Sequence, residues 1–238
     1  MTHQPSFSQA EFADKKKTTR REKFLARMED IIPWQSLFNA INADLSARGL
    51  TMREGTLVDA TLIAAPPSTK NKDKKRDPEM HQTRKGNQWY FGMKAHIGAD
   101  RDSKLVDTLV VTAANVSDIA KTSELLHGQE TQVHADAGYT GVEKREEITQ
   151  LDRKIDWQIA IKRSKVKQME EGMEKETLKA TEHAKASVRA FVEHPFHIVK
   201  NLFHHRKTRY RGLAKNSHQL HALFGLANLV IAARKVTA

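Results

Sequence analysis

One acidic residue inside an apolar strand constrains this chain more than any other feature. Residues 55–66 read Gly-Thr-Leu-Val-Asp-Ala-Thr-Leu-Ile-Ala-Ala-Pro, and this β-branched and aliphatic run between Gly and Pro predicts a buried strand. Asp59 lies in its middle, where an ionised carboxylate is costly unless another group compensates it. Two interpretations stay open: a structural Asp bonded to neighbouring backbone or to a base, or a member of a polar site.

The charge balance limits the partners of the chain. Among 238 residues there are 40 Lys and Arg against 29 Asp and Glu, a formal net charge of +11. A globular protein this basic most often binds a polyanion, usually nucleic acid; a ribosome-associated or simply basic protein is the alternative.

The absence of cysteine excludes disulfides, thiol nucleophiles and zinc–thiolate sites. No apolar stretch predicts a membrane span or a signal peptide, so we expect a cytoplasmic, nucleoid-associated protein without membrane contact.

The hydrophobic patterns predict an α/β fold. Strands are predicted at 55–65, 89–99, 105–113, 131–135 and 156–161, the second and third as a hairpin. Helices are predicted at 24–32, 36–48, 118–126, 142–151, 184–207 and 217–235. Three early strands followed by alternating helix and strand fit a mixed five-stranded sheet flanked by helices.

Three polar segments interrupt this pattern. Residues 1–22 are expected to form a mobile basic arm. Residues 66–87 are too charged to bury and are predicted as a loop, which either contacts DNA or is a solvated insertion. Residues 162–183 lack apolar periodicity and are predicted as a charged insertion of helix and loop.

Asp136 is the second candidate for chemistry. It follows the predicted strand 131–135 and precedes small residues, and ligands of α/β sheets gather outside the carboxyl ends of strands. It is therefore a candidate metal ligand. The alternative is a turn residue that bonds to its own backbone.

Glu193 is the third candidate. On the predicted helix, Arg189, Glu193 and Lys200 lie at offsets of four and seven and so form one polar column. The alternative is a surface salt-bridge ladder. Pro195 indicates either a kink that positions Glu193 or a boundary between two helices.

Three converging carboxylates would repel one another, because two unit charges about 4 Å apart interact by roughly 4 kcal/mol at an effective dielectric near 20. Carboxylates without thiols suit Mg²⁺ or Mn²⁺, and a site with two ions can stabilise both the attacking and the leaving oxygen of a phosphodiester. If Asp59, Asp136 and Glu193 converge, at least one of them should have a raised pKa in the metal-free protein.

Other chemistries lack support in the sequence. It contains no Gly-x-Gly-x-x-Gly, phosphate-binding loop, Gly-x-Ser-x-Gly or His-Glu-x-x-His motif. The 12 histidines are scattered. His134 shares a strand face with Asp136, but for it, as for His96 and His194, we favour a structural role.

Several segments, taken in order, resemble bacterial insertion-sequence DDE transposases, closest to the insertion-sequence-five branch. They are Gly55-Thr-Leu-Val-Asp-Ala-Thr61, Asp77-Pro-Glu-Met80, Lys85-Gly-Asn-Gln-Trp89, Phe91-Gly-Met-Lys-Ala-His96, Ala135-Asp-Ala-Gly-Tyr139, Arg189 to Lys200, Arg209-Tyr-Arg-Gly-Leu213 and Leu226-Ala-Asn-Leu229. The resemblance covers roughly residue 36 to the C-terminus. It implies a ribonuclease H-like fold in which Asp59, Asp136 and Glu193 are catalytic and hold two Mg²⁺ or Mn²⁺ ions.

The third motif of that family is Tyr-x-x-Arg-x-x-x-Glu-x-x-x-x-x-x-Lys. Arg189, Glu193 and Lys200 match it, whereas Ala186 stands at the Tyr position, which weakens the expected DNA contacts of the helix without touching the metal ligands. We expect DNA contacts at Arg189, Lys200, Lys85 and Lys94.

The N-terminal region departs from the family. Residues 1–35 resemble its start and residue 36 onward a point well downstream, so the join near 34–36 looks like an internal deletion. We therefore expect residues 1–50 to be a basic arm with a remnant of the DNA-binding region, and residues 51–238 to be the catalytic domain, with the charged insertion at about 162–183.

The resemblance implies a transposase that cleaves and transfers DNA strands with a divalent metal. Its partners would be element terminal repeats and target DNA, bound as a homodimer or higher oligomer. The alternatives are a catalytically impaired DNA-binding remnant and a general nuclease.

Overall fold

The computed structural model describes residues 19–70 and 74–236. Six strands form one mixed sheet: β1 (Gly55–Ala64), β2 (His81–Lys85), β3 (Gln88–Asp100), β4 (Val106–Ala113), β5 (Gln132–Ala135) and β6 (Asp156–Ile159). The order is β2-β3-β1-β5-β6, and β4 also pairs with β3. β1 is antiparallel to β3 and parallel to β5, which is parallel to β6. This agrees with the mixed sheet predicted from the sequence.

Helices flank the sheet. They are α1 (Arg20–Ile31), α2 (Trp34–Ala47), α3 (Thr122–Leu125), α4 (Glu146–Thr149), α5 (Arg163–Gln168), α6 (Met173–Arg189), α7 (Glu193–His197) and α8 (Leu213–Val236). The longest, α8, packs against α2 and β4. In the described part of the chain, no helix has the length and apolarity needed to cross a bilayer.

The two faces of the sheet bury separate cores, because side chains alternate along each strand. Leu57 and Ile63 of β1 belong to the larger core, together with α2, α8 and residues 192–199. Val58 belongs to the smaller core on the opposite face. Asp59 follows Leu57 by two residues, so it points to the face of the larger core.

A buried asparagine pair joins α2 to α8. The Nδ2 of Asn228 donates to the Oδ1 of Asn42 (2.7 Å) and to the carbonyl of Val106 (2.8 Å), and its Oδ1 accepts from the Val106 amide (2.8 Å). The Nδ2 of Asn42 donates to the same carbonyl (2.9 Å). The pair therefore satisfies the backbone N–H and C=O of Val106, the first residue of β4, and it holds α8 over the core.

The sixth strand corrects the prediction that residues 66–87 are all loop. β2, His-Gln-Thr-Arg-Lys, has no apolar residue, and four of its five side chains are exposed. It forms by pairing with the start of β3, His81 opposite Gly92 and Lys85 opposite Gln88. A strand held by backbone pairing alone leaves no hydrophobic alternation in the sequence.

The regular helix predicted over 184–207 is only partly correct, because the chain is helical from 173 to 202 but changes its helix type three times. α6 begins at 173, inside the segment predicted as an insertion, and ends at Arg189. A 3-10 turn (Ala190–Val192), α7 and a π-helical turn (Ile198–Leu202) follow. Pro195 lies in the first turn of α7, where its missing N–H needs no partner. Pro195 is the third residue of α7 rather than the first helical residue that the boundary interpretation places there, and Val192 and Glu193 at the junction keep right-handed helical dihedral angles.

Two shorter helices also differ from prediction. The helix predicted at 118–126 is a 3-10 turn (Asp118–Lys121) followed by α3, and the one at 142–151 is a 3-10 turn (Val142–Lys144) followed by α4. Most of the predicted basic arm, residues 1–18, lies outside the described residues.

Candidate active site

The parallel pairing of β1 with β5 sets Asp59 beside Asp136. Leu57 stands opposite His134, an offset of 77 residues (134 − 57), and Asp136 follows Asp59 by the same number (136 − 59). The backbone at Asp136 is still extended, with φ −77° and ψ 175°. Because adjacent strands lie about 4.8 Å apart, the two carboxylates leave neighbouring strands on the same face.

Each of these carboxylates also bonds to local backbone. The Oδ1 of Asp59 accepts from the Ala60 amide (2.7 Å), and the Oδ1 of Asp136 accepts from the Gly138 amide (2.8 Å). A Cβ at position 138 would stand 2.9 Å from that Asp136 oxygen, so the glycine lets the turn close on the carboxylate. Both residues therefore make the local hydrogen bond that the structural interpretation expects, and the second oxygen of each carboxylate takes no part in that bond.

The segment after α6 brings further charges to Asp59. α6 packs against β5, and the 190–192 turn packs against β1. The pKa of Asp59 is raised from 3.8 to about 7, first by burial and then by the charges of Asp136 and Glu193, whereas the Ala60 hydrogen bond and Arg189 lower it. The raised pKa agrees in direction with the expectation from the sequence. Its main cause is burial, and repulsion between the carboxylates is secondary.

The donor set suits a hard divalent cation, although it is not gathered as a finished metal site. Across residues 19–70 and 74–236, no three His, Cys, Asp or Glu side chains are grouped so that they could hold an ion. Asp59, Asp136 and Glu193 offer only carboxylate oxygens, which Mg²⁺ and Mn²⁺ prefer. To bind an ion together, their side chains would have to turn from their present positions toward one another.

Lys200 links this site to the hairpin formed by β2 and β3. It lies half-buried on the π-helical turn. Burial lowers the pKa of its ammonium, the charges of Lys85 and Arg206 lower it further, and Glu193 raises it. Lys85, by contrast, is exposed at the end of β2. The three cations therefore form a basic flank next to Glu193.

Lys94 and His96 belong to a structural network rather than to the open site. The Nζ of Lys94 donates to the Oδ1 of Asp118 (2.9 Å) and to the Val116 carbonyl (2.8 Å), and its side chain is 13% exposed. The Nε2 of His96 lies 2.8 Å from the Oγ1 of Thr112, and burial lowers the pKa of its ring to about 4. These contacts hold the loop after β4.

His134 has the structural surroundings that we favoured, whereas the structural role of His194 stays a prediction. The ring of His134 is buried, and its Nε2 lies 2.8 Å from the Oε1 of Gln132. Burial lowers the pKa of both His134 and His194.

Sequence reasoning missed Tyr139. Its ring is buried in the smaller core, and its hydroxyl has no hydrogen-bond partner among the described residues. Burial raises its pKa, and the charges of Asp59, Asp118 and Asp136 raise it further. The available signal was its place three residues after Asp136. Asp118 was predicted only as a helix cap.

Two of the segments quoted for the family resemblance meet at the start of α8. The Oδ2 of Asp77 accepts from the Gly212 amide (2.7 Å), and the Oε2 of Glu79 accepts from the Leu213 amide (2.7 Å). Acidic groups satisfy the free N–H groups of a helix N-terminus and its positive dipole end. These acids therefore support the fold and do not join the carboxylate site.

Comparison with known proteins identifies the family of the chain. Residues 50–229 match the family described as "Transposase DDE domain", which is more than half of the 238 residues. No solved structure matches the chain. Transposases of this kind act on DNA and generally use divalent metals. The mixed sheet flanked by helices is consistent with a ribonuclease H-like DDE domain. The chain belongs to the transposase DDE domain family.

Proposed function

We propose that this protein is an active transposase that cleaves DNA at the ends of an insertion sequence and joins the freed strand to target DNA. The observation that carries the proposal is the parallel register that sets the half-buried Asp59 beside Asp136, and the charges of Asp136, Glu193 and Arg189 all act on the Asp59 carboxyl group. Membership of the family supports DNA as the substrate.

Asp59, Asp136 and Glu193 would hold two Mg²⁺ or Mn²⁺ ions. When bound, such ions neutralise charge on a phosphate and make water or a 3′-hydroxyl a better nucleophile. The fit rests on burial as well as on ligand type, because a half-buried carboxylate such as Asp59 is costly to ionise alone and gains most from a cation.

The cations of the chain would bind and orient the DNA strand. Arg189 would hold a phosphate beside the scissile bond, since a guanidinium can donate two parallel hydrogen bonds to phosphate oxygens. Lys200 and Lys85 would follow the backbone away from Glu193. We assign Lys94 an indirect part, because its ammonium is bonded to Asp118.

The two chemical steps need no external energy source. Water attacks a phosphodiester at the element end, the P–O3′ bond breaks, and the proton lost from water is balanced by protonation of the leaving 3′ oxygen. The new 3′-hydroxyl then attacks a target phosphodiester, forming one P–O3′ bond and releasing the target 3′-hydroxyl. The number of phosphodiester bonds is unchanged in this second step.

The finer placement is also a proposal. The motif at Arg189, Glu193 and Lys200 supports the insertion-sequence-five branch. The join at 34–36, which lies in the first turn of α2, supports an internal deletion that leaves residues 1–50 as a remnant and 51–238 as the catalytic domain. An impaired DNA-binding remnant is thus the second candidate function, and the shortened N-terminal region motivates it.

A nicking assay tests the proposal. The full chain is incubated with duplexes from both flanks of the gene, with MgCl₂, MnCl₂ or EDTA, and new 3′-hydroxyl ends are mapped. We expect metal-dependent nicks that Asp59→Ala, Asp136→Ala and Glu193→Ala each abolish. Glu176→Ala, an exposed acid on α6, is the matched control and should retain activity. Nicking that survives all three site variants would refute the assignment.

Two further measurements separate the alternatives. Salt-sensitive DNA binding without cleavage, across metals and substrates, would favour the remnant. Products in which the nicked strand is joined to a second DNA would exclude a general nuclease. The same complexes, analysed by sedimentation, test the proposed homodimer on DNA, and imaging of a fluorescent fusion tests the proposed place on the nucleoid.

A further inference from the structure

The β2–β3 hairpin extends beyond the rest of the sheet. β1 ends at Ala64, which stands opposite Gly92, and β4 ends at Ala113, which stands opposite Met93. From residue 91 back to 81 the chain is therefore a two-stranded ribbon in which β2 pairs only with residues 88–92. We call residues 81–91 the arm.

The arm is held at both of its ends. At its tip, the guanidinium of Arg84 donates to the Gly86 carbonyl (3.0 Å) and to the Oδ1 of Asn87 (3.3 Å), and Gly86 supplies the positive φ of 61° that the turn requires. At its base, Gly92 passes so close to the Ile63 carbonyl that any Cβ would collide with it. An isolated hairpin is marginally stable in water, and these contacts hold this one in place.

Trp89 is the largest apolar side chain on the arm, and it is 64% exposed. Alternation along β3 puts it on the same face as Phe91, Met93 and Ile97. Ile97 stands opposite Asp59 in the register, so Trp89 and Asp59 share one face of the sheet. The eight residue-to-residue steps from Trp89 to Ile97 span about 26 Å at roughly 3.3 Å per step.

Cations surround the arm along that distance. The charge of Lys85, at the tip of the arm, lowers the pKa of Lys200. Arg206 also lowers this pKa, and Glu193 raises it. The guanidinium of Arg76 lies 5.4 Å from the centre of the Phe91 ring at the base. Basic residues therefore lead from the carboxylate site to the arm, where Lys85, opposite Gln88, lies on the other face from Trp89.

We propose that the arm enters a groove of duplex DNA about seven or eight base pairs from the scissile phosphate, with Trp89 against base edges and Lys85 on a phosphate. A two-stranded β-ribbon fits the major groove of B-DNA, and about 26 Å corresponds to that many base pairs at roughly 3.4 Å each. The inference rests on the proposed function for the position of the scissile phosphate. The groove contact itself needs no cleavage.

Binding in EDTA tests the arm independently of catalysis. Fluorescence anisotropy of the full chain with a labelled duplex should show that Trp89→Ala weakens binding by about tenfold and that Trp89→Phe weakens it less. Met173→Ala removes a side chain that is 87% exposed at the start of α6 and should leave the affinity unchanged. Unfolding curves establish that each variant is folded, as expected for exposed positions.

The salt dependence separates the two kinds of contact. Lys85→Gln should reduce the slope of log affinity against log salt concentration by about one, whereas Trp89→Ala should leave the slope unchanged. Footprinting should lose protection about seven or eight base pairs from the mapped nick in the Trp89→Ala variant alone.

Several outcomes would refute the proposed groove contact of the arm and leave the proposed function intact. Equal duplex affinity for wild type and Trp89→Ala does so, as does a loss confined to single-stranded DNA or to RNA of the same sequence. Conversely, a tenfold loss on duplex DNA in a protein that never nicks would support the arm and refute the catalytic proposal. Failure of the wild type to bind any DNA at low salt refutes both.

Discussion

Asp59 and Asp136 stand at matching positions on neighbouring parallel strands, because the register that sets Leu57 opposite His134 continues two residues further. β5 has only four residues, yet it fixes this relationship. A slip of one residue would turn Asp136 to the opposite face. The site therefore depends on the pairing of a very short strand.

The pKa of Asp59 predicts an unusual dependence of stability on pH. The folded protein keeps a proton up to about pH 7 that the unfolded chain loses near 3.8, so the free energy of unfolding should fall as the pH rises between these values. Asp59→Asn removes this loss. At pH 8 in EDTA, we expect the free energy of unfolding of the variant to exceed that of wild type by on the order of 2 kcal/mol. Denaturant unfolding across a pH series measures this difference.

Asp107 provides the matched control for that experiment. Burial raises its pKa to about 7 as well, and its Oδ2 is buried without a hydrogen-bond partner in the described region. Asp107→Asn should also flatten the pH dependence. Mg²⁺ should stabilise this variant as much as wild type, but should stabilise Asp59→Asn less. Equal stabilisation of both variants by Mg²⁺ would count against a metal site at Asp59.

Arg189 is expected to set the pH at which the site works. It lowers the pKa of Asp59, so Arg189→Ala should raise that pKa further and shift the lower limb of the pH–rate profile for nicking to higher pH. Arg189→Lys should restore the position of the limb but not the full rate, because an ammonium cannot make the paired hydrogen bonds of a guanidinium. Single-turnover nicking across pH measures both, and an unmoved limb in Arg189→Ala would contradict the argument.

Tyr139→Phe is expected to stabilise the metal-free protein slightly. The hydroxyl is buried and has no partner among the described residues, so its removal relieves a desolvated polar group and keeps the packing of the ring. We expect a gain between 0 and about 1 kcal/mol in thermal unfolding. Tyr90→Phe, which loses an exposed hydrogen bond to Gln88 (2.9 Å), should change stability by less than about 0.5 kcal/mol. A loss above 1 kcal/mol for Tyr139→Phe would reveal a hydrogen bond that the hydroxyl makes.

The asparagine pair should behave as one unit. Asn228→Ala leaves the Val106 amide and the Asn42 amide group buried with fewer partners, and we expect a cost of about 2–3 kcal/mol. Asn42→Ala should cost less, because Asn228 still bonds to both backbone groups of Val106. In a double-mutant cycle, the stability losses of the two single variants should sum to more than the loss of the double variant. Strict additivity of the two losses would mean that the pair is not coupled.

The sequence predicts the parts of this fold that burial dictates. β1, β3 and β4 carry long apolar or alternating runs, and Asp59 stands out because it interrupts one. Asp136 follows from its place at a strand end. Arg189 and Glu193 were grouped on one regular helix, whereas the structure has a 3-10 turn between them. Both residues act electrostatically on Asp59, and the turn lies against β1.

What the sequence does not predict depends on long-range pairing. β2 has no apolar pattern of its own, and its existence rests on β3. Tyr139 resembles an ordinary turn residue until the fold buries its hydroxyl near Asp59 and Asp118. Lys94 has the composition of a DNA contact, but its ammonium is bonded to Asp118, which lies 24 residues further along the chain.

The contact between Asn42 and Asn228 has a consequence for biosynthesis. These side chains are 186 residues apart, so the core over β1 cannot close until α8 has emerged from the ribosome. Until then, the growing chain can pair β1 with β3, but it lacks the helix that completes the cover over their inner face. Closure of the larger core, to whose face Asp59 points, therefore waits for α8.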